Sequence, residues 1–270
     1  MLTACSNADP APEPTPTAPA SEASESAGVD TAAREAAVAE LRSTLPDEAP
    51  EKVVVMSVPL AEIIDSLGVV PAGVPTSESP LPASLDDVPR MGTVIAPDVE
   101  KIAELEPDLI LGPASIKDSL EKHLSATELD TAYVPTDSLD DLIHTTLAFG
   151  ELFGKTAEAE ALVAQVDEAR ASAGDASDVK VLILFGQSEE FSVLNENTFA
   201  GGLAADLGAT NVATELGLEE SYSPLSLEQV IMADPDVILF LGSRPPTCWQ
   251  RSAARAVEDP SPWWAGSWRR

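Results

Sequence analysis

The 270-residue chain is poor in cations, aromatics, histidine and cysteine. Fifteen Lys and Arg stand against 46 Asp and Glu, a formal net charge of −31. A nucleic-acid binder gains affinity by neutralising phosphates with Lys and Arg, so this balance argues against one. It argues equally against electrostatic docking on an anionic membrane surface. Two His are too few for a Zn or Mn centre built from converging imidazoles and carboxylates, and no metal site is expected. Two Cys at opposite ends do not suggest a disulfide framework. No run of 18 apolar residues exists, so no transmembrane helix is expected. There is no nucleophile elbow and no Gly-rich phosphate loop, and the chain does not read as an enzyme. What is present is a hydrophobic content of 44%, enough for a sizeable core, and a length that allows two lobes.

The first residues are Leu2-Thr3-Ala4-Cys5, small residues before a Cys, which resemble the lipobox of bacterial lipoproteins. Residues 6–30 consist largely of Pro, Ala, Glu, Ser and Thr, with no Lys, Arg or aromatic. Such a segment cannot bury enough apolar area to offset its ordering entropy, and reads as a tether. The resemblance implies lipidation at Cys5 and attachment to the outer face of the cell membrane. A signal peptide carries an apolar stretch of roughly 7–15 residues, and none precedes Cys5; the signal peptide is read as missing from the given chain.

Residues 30–44 read as a short Ala-rich helix, which completes a leader over 1–50. From Lys52 the pattern is α/β. Val53–Met56, Leu109–Leu111, Ala132–Val134, Val181–Phe185 and Asp236–Phe240 are short aliphatic runs of the buried-strand type. Val69 to Pro75 is read as a further strand. Leu60–Leu67 has helical spacing and stops at Gly68. Residues 138–153 and 156–173 are consecutive helical stretches, the second long enough to bridge two lobes.

The most informative feature is internal. Glu100 is followed at seven residues by Pro107-Asp108-Leu109-Ile110-Leu111, and Glu228 at the same interval by Pro235-Asp236-Val237-Ile238-Leu239. Lys52-Val53-Val54-Val55 and Lys180-Val181-Leu182-Ile183 open the two halves. The expected fold is α/β: an N-terminal lobe over 51–155, a hinge helix over 156–177 and a C-terminal lobe over 178–243.

These residues resemble the substrate-binding proteins of ABC importers for iron chelates, haem and cobalamin, the type with a rigid helical hinge. The likeness is carried by Ser57–Ile63, Gly92–Glu100, Pro107–Leu111, Leu147–Leu152 and Glu228–Leu239. It implies a monomeric extracytoplasmic protein that captures an iron chelate, a siderophore or haem, and delivers it to an ABC permease dimer with its ATPase. The alternatives are a cobalamin- or metal-ion-binding protein of the same importer class, or a surface lipoprotein without a transported ligand. The resemblance further implies that Glu100 and Glu228 dock the two lobes on the permease. The nearest subgroup is the haem-binding lipoproteins of Gram-positive bacteria. Their axial Met is replaced here by Ile95, and their axial His falls near Ser243. No intrinsic cofactor is expected.

Ligand is expected between the lobes, at loops that follow the strands. The candidates are Ser57, Val58, Ile95, Ser115, Gln187, Ser243 and Arg244, with Phe191 and Tyr222 as the aromatics reaching the cleft. Thr76-Ser77 and the loop Asn195 to Thr198 are counted among the same set of loops. His123 and His144 fall in helical patterns and are read as ordinary surface or core residues.

From Arg244 the chain changes character. Residues 244–270 carry a net +3 against −34 before them, and all four Trp (Trp249, Trp263, Trp264 and Trp268). They have no helical or strand period. The tail is read as atypical, as a frameshift would produce, leaving the C-terminal lobe incomplete.

Overall fold

The structure is a computed structural model. It describes residues 31–242, except 126, 128, 175, 188, 189 and 225, together with residues 268 and 269. Cys5, the tether, Ser243, Arg244 and most of the tail lie outside the described residues.

The described residues form two separate sheets. In the first half, β1 (Val53–Val55), β4 (Leu109–Pro113) and β5 (Thr131–Val134) run parallel in the order β1-β4-β5. All five residues of β4 are buried, as expected of a parallel strand covered on both faces. One face packs with α2 (Val58–Ser66) and α5 (Leu139–Leu152) around the fully buried Phe149, which meets Phe153 edge-on at 5.9 Å. The other face packs with α3 (Val99–Glu104) and α4 (Lys117–Leu124) around Ile102, Leu120 and Leu124. A two-stranded hairpin, β2 (Gly92–Thr93) and β3 (Ala96–Pro97), precedes α3.

The strand expected over Val69 to Pro75 is not a ladder. Only isolated bridges form, Val54 to Gly73 and Val74 to Arg90. The reason is local. Pro71 and Pro75 have no N–H to donate, and Val70 is exposed rather than buried.

The second half is a six-stranded mixed sheet. Its path is β11 (Trp268–Arg269), β10 (Val237–Gly242), β6 (Lys180–Gln187), β7 (Glu190–Leu194) and β9 (Tyr222–Pro224), with β8 (Thr210–Asn211) also on β6. β6 and β10 are parallel, whereas β7 runs antiparallel to β6. The sheet is covered on one face by α7 (Phe199–Asp206) and on the other by α8 (Val212–Glu215) and α9 (Leu227–Ala233). Although the tail shows no strand period, Trp268 and Arg269 pair antiparallel with Ile238 and Val237. Residues Val237–Phe240 are only half-buried, unlike their counterparts in β4.

The halves are joined by α6 (Thr156–Ser172), which ends before the expected boundary at residue 177. At 1.5 Å per residue this helix spans about 25 Å. Its first part packs on α5 through Ala159 and Val163. Its last turn carries Arg170, whose guanidinium donates to Asp140 at the start of α5 (2.9 Å) and to Asp206 at the end of α7 (2.7 Å). One fork therefore ties both halves to the connecting helix. A further helix, α1 (Thr31–Ser43), lies across α5 with Val38 and Leu41 buried. Arg34 of α1 makes a two-pronged contact with Asp167 of α6, at 2.7 and 2.9 Å.

The internal repeat recurs in its hydrogen bonds, with one fewer in the second half. The Asp108 carboxylate accepts from the N–H groups of Glu51 and Lys52, at 2.9 and 2.8 Å. The Asp236 carboxylate accepts from the N–H of Lys180 at 2.9 Å. Lys52 Nζ donates to the carbonyl of Leu105 at 3.2 Å, and Lys180 Nζ to that of Ala233 at 3.3 Å. Glu106 and Asp234, each just before the Pro, both adopt the left-handed conformation that lets a helix turn into the next strand. In both halves Lys and Asp bracket the turn that leads from the helix into the next strand.

Candidate functional site

In a parallel sheet the loops that leave the carboxyl ends of the strands share one edge, and that edge is where α/β proteins bind ligands. Ser57 and Ser115 meet this condition together. Each follows a strand of the β1–β4 pair, whose register matches Val55 with Leu111. Ser57 is buried and caps α2, its hydroxyl accepting from Leu60 N–H at 3.5 Å. Val58 is the first residue of that helix and half-buried. Ser115 is exposed in a short 3-10 turn.

Ile95 sits at the turn of the β2–β3 hairpin and is 74% exposed. The carbonyl of Ile95 lies 3.3 Å from Nε2 of His123 in α4. His144 is half-buried in α5.

In the second half, Gln187 ends β6, next to Gly186, which pairs with Gly242 at the end of β10. Phe191 pairs with Gly186 and so lies near the same carboxyl edge. Its ring is 5.9 Å from that of Phe240. Tyr222 does not join it. Tyr222 pairs with Leu194, farther from the carboxyl edge, and its ring meets Phe185 at 6.0 Å. Phe240 and Phe185 belong to opposite faces of the sheet, so the two aromatics expected in one cleft are on different faces.

The loop Asn195 to Thr198 is a second correction. Because β7 is antiparallel to β6, the loop after it emerges at the amino edge of the parallel strands, away from Gln187. Its polar side chains are spent internally. Asn195 Nδ2 donates to the carbonyls of Leu218 and Glu219, and the Thr198 hydroxyl caps α7 by accepting from Gly201 N–H.

Glu100 and Glu228 stand in the first turns of α3 and α9, capped by Asp98 and Ser226. Each helix runs back to feed the amino end of a parallel strand, so each starts near the carboxyl edge. Both carboxylates are exposed. Asp98 holds its charge more firmly than a free carboxyl, because Lys101 hydrogen-bonds it through both side chain and backbone.

Two features at this edge were not read from the sequence. Tyr133 lies near the end of β5 with Lys117 Nζ 5.6 Å from its ring centre, and burial pushes its phenol upward. Arg90 is half-buried beside Val74, and its Nη1 is buried with no hydrogen-bond partner. The available signal was scarcity: Arg90 is the one arginine between Lys52 and Lys155. Among the described residues, no three His, Cys, Asp or Glu side chains cluster as a metal site, and no helix is long and apolar enough to cross a membrane.

The profile of the periplasmic binding proteins matches residues 53–258, most of the chain and both halves. This chain belongs to the periplasmic binding protein family. The family is one of transport components that bind solutes rather than of enzymes. The chain is 29% identical over 196 residues to the high-affinity heme uptake system protein IsdE of Staphylococcus aureus. That match covers 70% of this chain and 66% of the relative's length, slightly under two thirds. An ABC transporter substrate-binding protein from Listeria monocytogenes superposes with a TM-score of 0.60 at 25% identity, over 76% of this chain and 80% of that one. The periplasmic catecholate-siderophore binding protein VctP from Vibrio cholerae shares the fold, with a TM-score of 0.63 at 21% identity over 72% and 73% of the two chains.

Proposed function

We propose that this protein captures a ferric chelate outside the cell membrane and hands it to an ABC permease with its ATPase. The observation that carries the reading is the doubled half. The same strand, the same Lys–Asp bracket and the same helix with Glu at its start occur twice, in a chain of the periplasmic binding protein family. In this reading residues 51–155 and 178–243 are the two lobes, and Glu100 and Glu228 meet cations on the permease. The protein acts as a monomer, held at the outer face of the membrane through a lipid on Cys5. Ser57, Val58, Ile95, Ser115, Gln187, Phe191, Ser243 and Arg244 line the chelate site, and Tyr222 contributes less than Phe191. Arg90 joins this set, because a half-buried guanidinium with a donor to spare suits an anionic chelate in so acidic a chain.

Between a siderophore and axially ligated haem, Ile95 favours the siderophore. Its side chain offers no donor atom to iron at the turn where the haem lipoproteins carry Met. The test is to mix the purified protein with ferric catecholate, ferric hydroxamate and haemin, separate free ligand by gel filtration, and record visible spectra. A retained charge-transfer band is expected with a ferric siderophore. A retained Soret band alone would assign haem, and a colourless protein in all three would refute chelate capture.

A further inference from the structure

The repeat supplies an internal control for α3 and α9. Each presents a buried aliphatic residue to its sheet, Ile102 in α3 and Val230 in α9. Helical spacing then places Glu100 and Glu104 on the outer line of α3, with Ala103 beside them. At the same positions α9 carries Glu228 and Met232, with Ile231 beside them. Met232 is 83% exposed and Ile231 69%. The half with two carboxylates on its outer line is thus matched by a half with one carboxylate and two large apolar side chains. Neither apolar residue contributes to the core of its own lobe. Solvent-exposed helix positions favour polar or small residues, and α3 carries Glu104 where α9 has Met232 and only the small Ala103 where α9 has Ile231.

We propose that Glu228, Ile231 and Met232 form a docking face for the importer's permease, whose matching surface offers a cation beside an apolar shelf. This rests on the importer reading above and deepens it. Two arguments select this occupant. The apolar pair is continuous with Glu228, one helical turn away on the same face, so a partner that engages the carboxylate also covers the pair. A lone exposed carboxylate also gains little from a cation in water, whereas an apolar neighbour that excludes water strengthens the contact. The two lobes therefore dock unequally: the N-terminal lobe through charge, the C-terminal lobe through one charge and buried apolar area. Salt weakens the first more than the second.

The test rewrites the C-terminal face as a copy of the N-terminal one, I231A/M232E, and compares it with E228K and wild type. Binding to the cognate permease–ATPase complex in lipid nanodiscs is measured by surface resonance, alongside ferric-siderophore affinity, melting temperature and light-scattering mass. The expected result is a loss of permease affinity of about tenfold or more for I231A/M232E, reading the pair as interface-core residues, with siderophore affinity, melting temperature and monomeric mass unchanged. Unchanged permease affinity in I231A/M232E, with affinity lost in E228K, overturns the apolar face and leaves the importer reading standing. No permease binding by wild type refutes the importer reading itself. A drop in melting temperature would mean that the pair is covered by the chain's own residues. A wild-type dimer converted to monomer would mean that it joins two copies. Either result overturns the proposal.

Discussion

Replacing Gly150 with Ala tests how closely α5 and α6 must approach. Gly150 is buried near the end of α5. A Cβ there would collide with the Cβ of Ala159 on α6 and come within 3.2 Å of the Lys155 carbonyl. Two effects oppose each other. Ala is a better helix former than Gly by about 1 kcal/mol. Overpacking costs about 1–3 kcal/mol, and the upper end applies because both obstacles are held close to the backbone and cannot swing away. G150A should therefore lose about 1–2 kcal/mol net. For a chain of this size that lowers the melting temperature by roughly 3–6 °C. A159G alone should cost about 2 kcal/mol, from helix propensity and one buried methyl. If the collision is the cause, A159G removes it, and the double variant keeps the propensity gain of the G150A change. It should then lie only about 1 kcal/mol below wild type, more stable than A159G alone. Urea unfolding of the four proteins gives the coupling energy directly. Additive losses in the double variant, or a G150A protein as stable as wild type, would refute the close-approach argument.

Four further outcomes are expected. The Asp167 carboxyl is held below its usual range by hydrogen bonding to Arg34, then by the guanidinium charge. Its contribution, about 1 kcal/mol for a partly buried two-pronged pair, is therefore full above the ordinary carboxyl pKa of about 4 and lost as pH falls through the lowered native value. The stability gap between wild type and D167N should be flat near neutrality and close only in acid; a gap that closes near pH 6 would contradict this. D108A removes an acceptor of two backbone N–H groups and D236A an acceptor of one, so D108A should cost about 2 kcal/mol and D236A about 1 in urea melts. R90Q should weaken ferric-siderophore binding severalfold while leaving the melting temperature within a few degrees; unchanged affinity in a fluorescence titration would remove Arg90 from the site. R170A should loosen the link between the halves and raise hydrogen exchange in α6 and α7, but cost under about 2 kcal/mol because both bridges are partly exposed.

The elements that could be read along the chain are those whose signal is local. The runs at Val53, Leu109, Val181 and Val237 are strands because aliphatic residues with few polar interruptions suit a position covered on both faces, fully so in β4 and only partly in β10. The bounds of α5 follow from its capping box, in which Ser138 and Asp141 exchange hydrogen bonds with each other's backbone N–H. The Glu-to-Pro-Asp interval announced the repeat because the same turn, entered in the left-handed conformation and bracketed by Lys and Asp, needs the same residues at the same distance. β7, β9 and α7 were not anticipated. β7 and β9 are only five and three residues long, and α7 is a short run of small residues with two adjacent Gly, so no period stands out.

The composition and periodicity of this sequence determined that it is an α/β protein of two similar halves with a helix between them, since each of those facts resides in neighbouring residues. The tertiary structure decided which loops share an edge. β7 could run either way beside β6, and the antiparallel choice moved Asn195 away from Gln187 and put Phe191 and Tyr222 on opposite faces. It also decided that Arg170 meets Asp140 and Asp206, which lie 30 and 36 residues away. The exposure of Ile231 and Met232 was of the same kind. In the sequence they are two apolar residues of an apolar helix, and only the packing of Val230 and Ala233 against the sheet turns them outward. Local preference sets what a segment becomes, but strand direction and helix rotation depend on partners distant in the chain, and those partners place the side chains.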